Sequence, residues 1–428
     1  MKRLLSTIMT FLAVLSASSA ALTLQECLEK ARENYPAIRM YDLISLTESV
    51  RLSDIDKSWL PRVGLNGQVT VQNAVPALPD ELSNMMSQMG GQSVKGLGKT
   101  QYSVGVEVGQ TVWDGGASSG RRRVARAEAA GQSASVDVEM YAVRERVESI
   151  FFGVLLLEQQ VEMADVTATL LEANLAKVNA MVQGGTAMQA DADMIEAQLL
   201  TTRQQIAEAT AACQGYRRAL GVFIGEEVGE RPLELPSDEM PADMRNSRPE
   251  MCLFETRRQV NAARRELADA SLMPTVGFFA RGNYGYPGYN YFESMMSRDP
   301  KFSLMAGLKV GWNIDSFYTR RNTRRKQLLS DAEVVADSLT FAHNTNVKVE
   351  SQQGAIKGMR AVMADDSRIV ELCGNVRRAA EARLEAGVID ATALLTKISD
   401  EHRARLNACY HRVQLVQYIY QLKNTLNQ

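Results

Sequence analysis

Two arginine clusters are the densest charge in this chain: Arg121, Arg122, Arg123 and Arg126, and later Arg320, Arg321, Arg324, Arg325 and Lys326. Side chains of this kind bind phosphate. Each cluster follows a strand-like stretch, so it could hold phospholipid head groups at a membrane surface or simply solvate the start of a helix. Nothing else in the chain approaches an active site. The stretch GGQSVKGLGKT (90–100) resembles a phosphate-binding loop, but its glycine–lysine spacing is wrong, and it reads as a flexible loop between strands. No HExxH or paired CxxC occurs. The five cysteines stand singly and form neither a metal-ligand cluster nor a disulfide framework. The three histidines, His343, His402 and His411, all fall in helix-like sequence, where a structural or solvated role is expected. These absences point away from an enzyme, a cofactor or a metal.

The charge balance excludes another class. The sequence has 48 basic and 50 acidic residues, and such a balance makes no electrostatic case for nucleic acid. The first twenty residues have the form of an export signal: Lys2 and Arg3, a mostly apolar Leu4 to Leu15, then Ser18-Ser19-Ala20 for cleavage, with an alternative cut at Ala21. The apolar run is shorter than the ~20 residues of a spanning helix. Without Lys2 and Arg3 the balance becomes 46 − 50 = −4. No later stretch is long and apolar enough to span a bilayer as a helix; IFFGVLLL (150–157), the strongest candidate, is flanked by Glu148 and Glu158. An exported chain of this kind is either soluble or embedded as a β-barrel.

The elements that position the charged residues are marked out by proline. All 11 prolines lie in the zones 36–79, 232–249 and 274–300. Since an interior proline costs a helix ~3 kcal/mol, the intervals between and after these zones are where long helices can run. In the first interval Val143, Val147, Ile150, Val154, Leu157 and Val161 begin a seam of alternating four- and three-residue steps that continues to Val182. Sustained over several heptads, this is a coiled-coil seam. It predicts a helix over 117–183, which at 1.5 Å per residue is a rod of roughly 100 Å. Gly184 and Gly185 end it, and a second seam through Ile195, Leu199, Ile206, Cys213, Tyr216 and Leu220 predicts a return helix over 186–222. The second half repeats this less cleanly, with a long helix over about 319–385, a turn at Gly387 and a return helix over 388–425. Cys213 and Cys409 fall on these seams, where free thiols pack as small apolar groups, and no disulfide is expected to be needed for folding.

Alternation with period two predicts strands near 61–73, 100–113, 274–286 and 301–314. In the second, Tyr102, Val104, Val106 and Val108 share one face and Ser103, Gly105, Glu107 and Gly109 the other. Segments of roughly ten residues with an apolar and a small or polar face match a transmembrane β-barrel, although a soluble sheet with one wet face has the same period. Trp113, Trp312, Tyr284 and Tyr286 at strand ends favour the barrel, because aromatic side chains collect at membrane interfaces.

The two halves align at an offset of about 200 residues. LPRVG (60–64) pairs with MPTVG (273–277), VEVGQTVWDGG with LKVGWNIDSFY, and the turn at Gly185 with that at Gly387. Repeat one occupies 21–230, a linker 231–249 and repeat two 250–428, each reading helix, strand, loop, strand, long helix, turn, helix. With LTLQECLEKARENYPAI, LPRVGLNG, the WDGG…R junction and AGVIDATALL in this order, nearly the whole mature chain resembles the TolC-like outer-membrane efflux protein family.

The resemblance implies an α+β membrane protein. Each of three protomers would give four β-strands to one trimeric twelve-stranded transmembrane β-barrel, continued by a long periplasmic coiled-coil α-barrel. Independently, four strands cannot close a barrel when the smallest have about eight, so more than one copy is required. The implied function is the outer-membrane exit duct of a tripartite efflux system, working with a periplasmic adaptor (membrane fusion) protein and an inner-membrane transporter that selects the substrate. The same duct in type I protein secretion, and a soluble periplasmic coiled-coil scaffold, are the alternatives. The glycine turns, Gly184, Gly185 and Gly387, match the family's adaptor-docking positions. Where the family often has acidic residues at its narrowest point, six and nine positions past the second glycine, this chain has Ala393 and Thr396. Asp390, Asp191 and Asp193 are the remaining candidates for a constriction, where symmetry copies of a carboxylate would favour cations. An ordinary solvated helix face is the other reading of these aspartates. The clusters at Arg121, Arg122 and Arg123 and at Arg320, Arg321 and Arg324 would lie just below the barrel, near outer-membrane lipid.

Overall fold

Four antiparallel strands, β1 (Arg62–Val71), β2 (Thr100–Trp113), β3 (Thr275–Tyr286) and β4 (Lys301–Gly311), form one sheet in the order β1-β2-β3-β4. The computed structural model describes residues 21–89 and 96–428. The expected export signal (1–20) and most of the glycine-rich loop (90–95) lie outside the described residues. Register is set by the alternation, since a one-residue slip would exchange the two faces of a strand. Leu65 pairs with Val106, Val106 with Gly282 and Gly282 with Leu304, giving one row along the apolar face. The adjacent row is Asn66, Gly105, Asn283 and Ser303. A Cβ on Gly105 would lie 1.9 Å from Asn283 Oδ1 and 3.0 Å from Asn66 Oδ1, so the two amides meet over this glycine. Glu107 and Arg281 pair on the same polar face at 2.9 Å. The apolar face is uncovered: Leu65 is 78% exposed and Leu304 67%. Neither β1 nor β4 has a second strand partner among the described residues.

The helices are α1 (Leu24–Asn34), α2 (Arg39–Lys57), α3 (Asp80–Gln88), α4 (Ala117–Gln183), α5 (Gln189–Ile224), α6 (Pro249–Ala270), α7 (Tyr291–Met296), α8 (Ser316–Met363), α9 (Asp366–Glu385) and α10 (Ala391–Leu426). In the proline-free interval α4 runs unbroken for 67 residues. The second long helix, expected to be continuous over about 319–385, is instead divided at Ala364 and Asp365. The ladder loosens there: Ala364 N–H donates to Ala361 O at 3.4 Å and Asp365 N–H to Val362 O at 3.5 Å, before Ile369 N–H resumes to Asp365 O at 2.9 Å. Adjacent aspartates explain the restart, because Asp is disfavoured inside a helix and favoured in its first turn. Asp366 occupies that first turn and its carboxylate meets His411 Nδ1 at 2.9 Å. The short helices α3 and α7, in the loops between strands, were not foreseen.

Two compact units result, and both cut across the sequence repeats. One gathers residues 43–132 and 255–335, including the sheet; the other gathers 21–42, 133–254 and 336–428. In the helical unit the seams of α4, α5, α9 and α10 bury Leu171, Val178, Ile195, Leu199, Leu384 and Leu394 in one cluster. A second cluster holds Val147, Phe151, Phe152, Leu220, Ile224 and Val416 together with Leu22, whose N–H donates to Pro232 O at 2.8 Å. A third packs Val349 and Ile356 against Ile419 and Leu422. Tyr216, expected on the seam, is 44% exposed. A Cβ on Gly153 would lie 2.8 Å from its ring, so the tyrosine lies across that glycine instead of entering the core.

Candidate functional site

The two helix turns are built alike. α4 ends in a Schellman motif: Gly185 N–H donates to Val182 O at 3.0 Å and Thr186 N–H to Met181 O at 2.9 Å. α9 ends in the same pair of bonds, Gly387 N–H to Leu384 O and Val388 N–H to Arg383 O, both 2.9 Å. The motif needs a left-handed residue, and Gly185 (φ 74°) and Gly387 (φ 67°) supply it where a side chain would cost about 1–2 kcal/mol. Gly184, ahead of Gly185, donates to Ala180 O at 3.0 Å and closes the last helical turn. Each turn leaves a large apolar side chain in the open, Met188 at the first and Val388 at the second. Lys177 near the end of α4 pairs with Glu385 at the end of α9 at 2.8 Å, so the two turns stand close together.

The three aspartates start the return helices. Asp390 is the N-cap of α10, its Oδ1 accepting from Ala393 N–H at 2.8 Å. Asp191 Oδ2 accepts from Met188 N–H at 3.0 Å in the first turn of α5, and Asp193 Oδ1 accepts from Gln189 Nε2 at 2.8 Å. Both the bonds and the positive end of the helix favour an acidic side chain here, so Asp390 and Asp191 serve as local capping groups of the return helices. Their neighbourhood at the turns is nevertheless shared, because Thr392 approaches Met194 Sδ within 3.5 Å.

The arginine clusters, alike in sequence, differ in the structure. Arg122 pairs with Asp56 of α2 at 2.5 Å and Arg123 with Glu266 of α6 at 2.6 Å. Further along α4, Glu128 takes Arg264 at 2.7 Å and Arg51 at 3.4 Å. On α8, Arg320, Arg321 and Arg324 are exposed and have no ion pair or side-chain hydrogen bond among the described residues.

Two carboxylates, Glu148 and Glu401, are buried where the sequence reading placed no core charge. Glu401 of α10 is bracketed by Arg377 of α9 and Arg405, and its signal was a charge at the seam position following Leu394 and Ile398. Glu148 of α4 is buried beside Arg144, which is 3.0 Å away and also donates to the Gln428 carbonyl at 2.8 Å. Burial outweighs the guanidinium and lifts the Glu148 carboxyl from 4.5 to about 7. Between these values the folded chain keeps a proton that the unfolded chain has released, so stability falls as pH rises through that window, by on the order of 3 kcal/mol. Glu148→Gln is therefore expected to raise the thermal midpoint of the purified protein at pH 8 and to leave it nearly unchanged at pH 5. An equal shift at both values would contradict this. The five thiols are all free, and burial pushes that of Cys27 up to about 12. His402, whose Nδ1 lies 2.5 Å from Thr167 Oγ1, is held below its usual pKa by burial.

No protein-family profile and no characterised protein matches the sequence by sequence comparison. Solved structures match its fold. The outer membrane protein VceC of Vibrio cholerae superposes with a TM-score of 0.69 at 12% identity, over 94% of this chain and 95% of that one. The MtrE outer membrane channel of Neisseria gonorrhoeae gives 0.67 at 16% identity, over 94% and 88%. The Campylobacter jejuni CmeC outer membrane channel gives 0.67 at 11% identity, over 94% and 85%. The chain has the fold of these outer-membrane channels, four antiparallel strands with long helices, as the resemblance implied.

Proposed function

We propose that this chain is one protomer of an outer-membrane exit duct, a passive conduit through which an inner-membrane transporter and a periplasmic adaptor expel substrates. The observation that carries the reading is the sheet: one face is apolar and uncovered, and the outer edges of β1 and β4 have no strand partner among the described residues. Water would penalise such a face and such edges. In a bilayer the face is satisfied by lipid, and the edges by pairing β4 of one copy with β1 of the next. Three copies give a closed barrel of twelve strands, within the range that outer-membrane barrels occupy. The fold shared with outer-membrane channels over 94% of the chain supports the same reading. The helices then form the periplasmic extension, and the turns at Gly184, Gly185 and Gly387, with Met188 and Val388 in the open, are the docking tip for the adaptor.

Single-channel recording tests the reading. The mature protein should run as a trimer after cross-linking in native membranes and conduct in planar bilayers. A water-soluble monomer without conductance would instead favour a periplasmic scaffold. Within the duct, Asp390 is the proposed constriction. Asn caps a helix about as well as Asp, so Asp390→Asn removes charge while keeping the bond to Ala393, whereas Asp390→Ala also loses the cap at about 1 kcal/mol. Both variants should reduce cation selectivity and divalent block, and only the second should loosen the start of α10. If Asp390→Asn leaves conduction unchanged while Asp191→Asn or Asp193→Asn alters it, the constriction belongs to the first hairpin.

A further inference from the structure

The apolar face of β4 continues past the end of the strand onto α8. Trp312 follows the alternation of Phe302, Leu304, Leu308 and Val310. Its Nε1 donates to Leu272 O at 3.0 Å and its ring meets Phe317, edge to face, with centroids 6.2 Å apart. Phe317 lies in the first turn of α8, and Arg320, Arg321 and Arg324 follow it at intervals of three, four and seven residues. Such spacings fall on one side of a helix. The arginines therefore lie on the side that carries on from the apolar face of the sheet, with Tyr318 also exposed beside them. Only Asp315 offsets the positive charge between Trp312 and Leu328. At the matching place on α4, the carboxylates of Asp56 and Glu266 already hold Arg122 and Arg123.

From this asymmetry we infer that Arg320, Arg321, Arg324 and Arg325 form a binding site for the phosphate of anionic phospholipid head groups, in the leaflet nearest the helices. Arg122 and Arg123 of the first cluster have no such role: they staple α4 to α2 and α6. The inference rests on the sheet lying in a bilayer. Given that, the order along the surface is the one a membrane boundary asks for: apolar strand, then Trp312, Phe317 and Tyr318 at the interface, then unpaired guanidinium groups among the head groups. Arginine suits the task because its planar fork donates two hydrogen bonds to one phosphate. Threefold copies would repeat the site around the barrel.

The test reconstitutes the mature protein in nanodiscs of phosphatidylcholine doped with phosphatidylglycerol, extracts it gently, and counts retained lipids by native mass spectrometry. Each basic residue at an anionic surface is worth a factor of about five. The combined Arg320→Gln, Arg321→Gln, Arg324→Gln and Arg325→Gln variant should therefore lose enrichment of phosphatidylglycerol at least tenfold, while Arg122→Gln with Arg123→Gln should keep it. Enrichment that survives the fourfold change overturns the site. So does displacement of the lipid by inorganic phosphate, which would mark a free-anion site. Loss of the trimer with unchanged retention per protomer also overturns it, and would assign the charges to carboxylates of a second copy. Failure of the wild-type protein to enter the nanodisc refutes the membrane reading itself; entry without preference for phosphatidylglycerol refutes only the lipid site.

Discussion

Arginine in place of Leu65 is expected to abolish the assembled protein in the outer membrane, while arginine in place of Gln68 is tolerated. The two positions are three residues apart on β1 and lie on opposite faces. Leu65 heads the row that continues through Val106, Gly282 and Leu304, near the middle of each strand, so it falls where a bilayer crossing this sheet is most apolar. A guanidinium facing lipid at the midplane costs about 2–4 kcal/mol, and symmetry imposes that cost once per protomer. Gln68 pairs with Ser103 on the polar face, which in a closed barrel lines water, and an added charge there changes conduction rather than insertion. The readout is the amount of heat-resistant oligomer in the outer-membrane fraction. Equal amounts of both variants would mean that the apolar face does not meet lipid, and the duct reading would fall with it. Loss of both would show that β1 tolerates no added charge on either side.

Alternation marked all four strands, least strictly in β3, because each pairs through its own pleat, and β2, expected near 100–113, runs Thr100–Trp113. The turns were legible for an equally local reason: a left-handed position favours glycine, and Gly185 and Gly387 stand where the apolar seams stop. What escaped was non-local. The partners of Arg122 and Arg123 lie on α2 and α6, far away in sequence, so of two clusters that read alike one has two arginines held in ion pairs and the other has none among the described residues. The compact units were hidden for the same reason: β2 pairs with β3 across the whole of α4, α5 and α6. The division at Ala364 and Asp365 could have been read from its two adjacent aspartates, but it carries neither the proline nor the glycine that usually marks a break. For the aspartates at the turns, the sequence offered a gate or a solvated face. The structure adds a third role, helix capping, which is compatible with either.

The second large effect is expected at Arg377. Glu401 is only 3% exposed, and it meets Arg377 Nε on one side and Arg405 Nη2 at 2.6 Å on the other, while Arg377 Nη1 reaches Glu381 at 2.7 Å. Even the glycine opposite belongs to the arrangement, since a Cβ on Gly374 would stand 3.3 Å from Glu401 Oε1. Removing one member of a buried pair strands the other, and that costs about 3–5 kcal/mol; exchanging both for apolar side chains is often neutral. Arg377→Met should therefore loosen the hairpin of α9 and α10 severely, and Arg377→Met with Glu401→Leu should recover most of the loss. The interaction is measured by the cycle formed from the two single variants and the double. Hydrogen exchange resolved along α9 and α10 suits the purpose better than a melting temperature, because it reports local opening of the helices that carry the Gly387 turn. Protection unchanged in Arg377→Met would mean that Arg405 alone satisfies the carboxylate. A double variant as exposed as the single one would mean that Arg377 holds the hairpin through Glu381, whose carboxylate loses its partner in both variants.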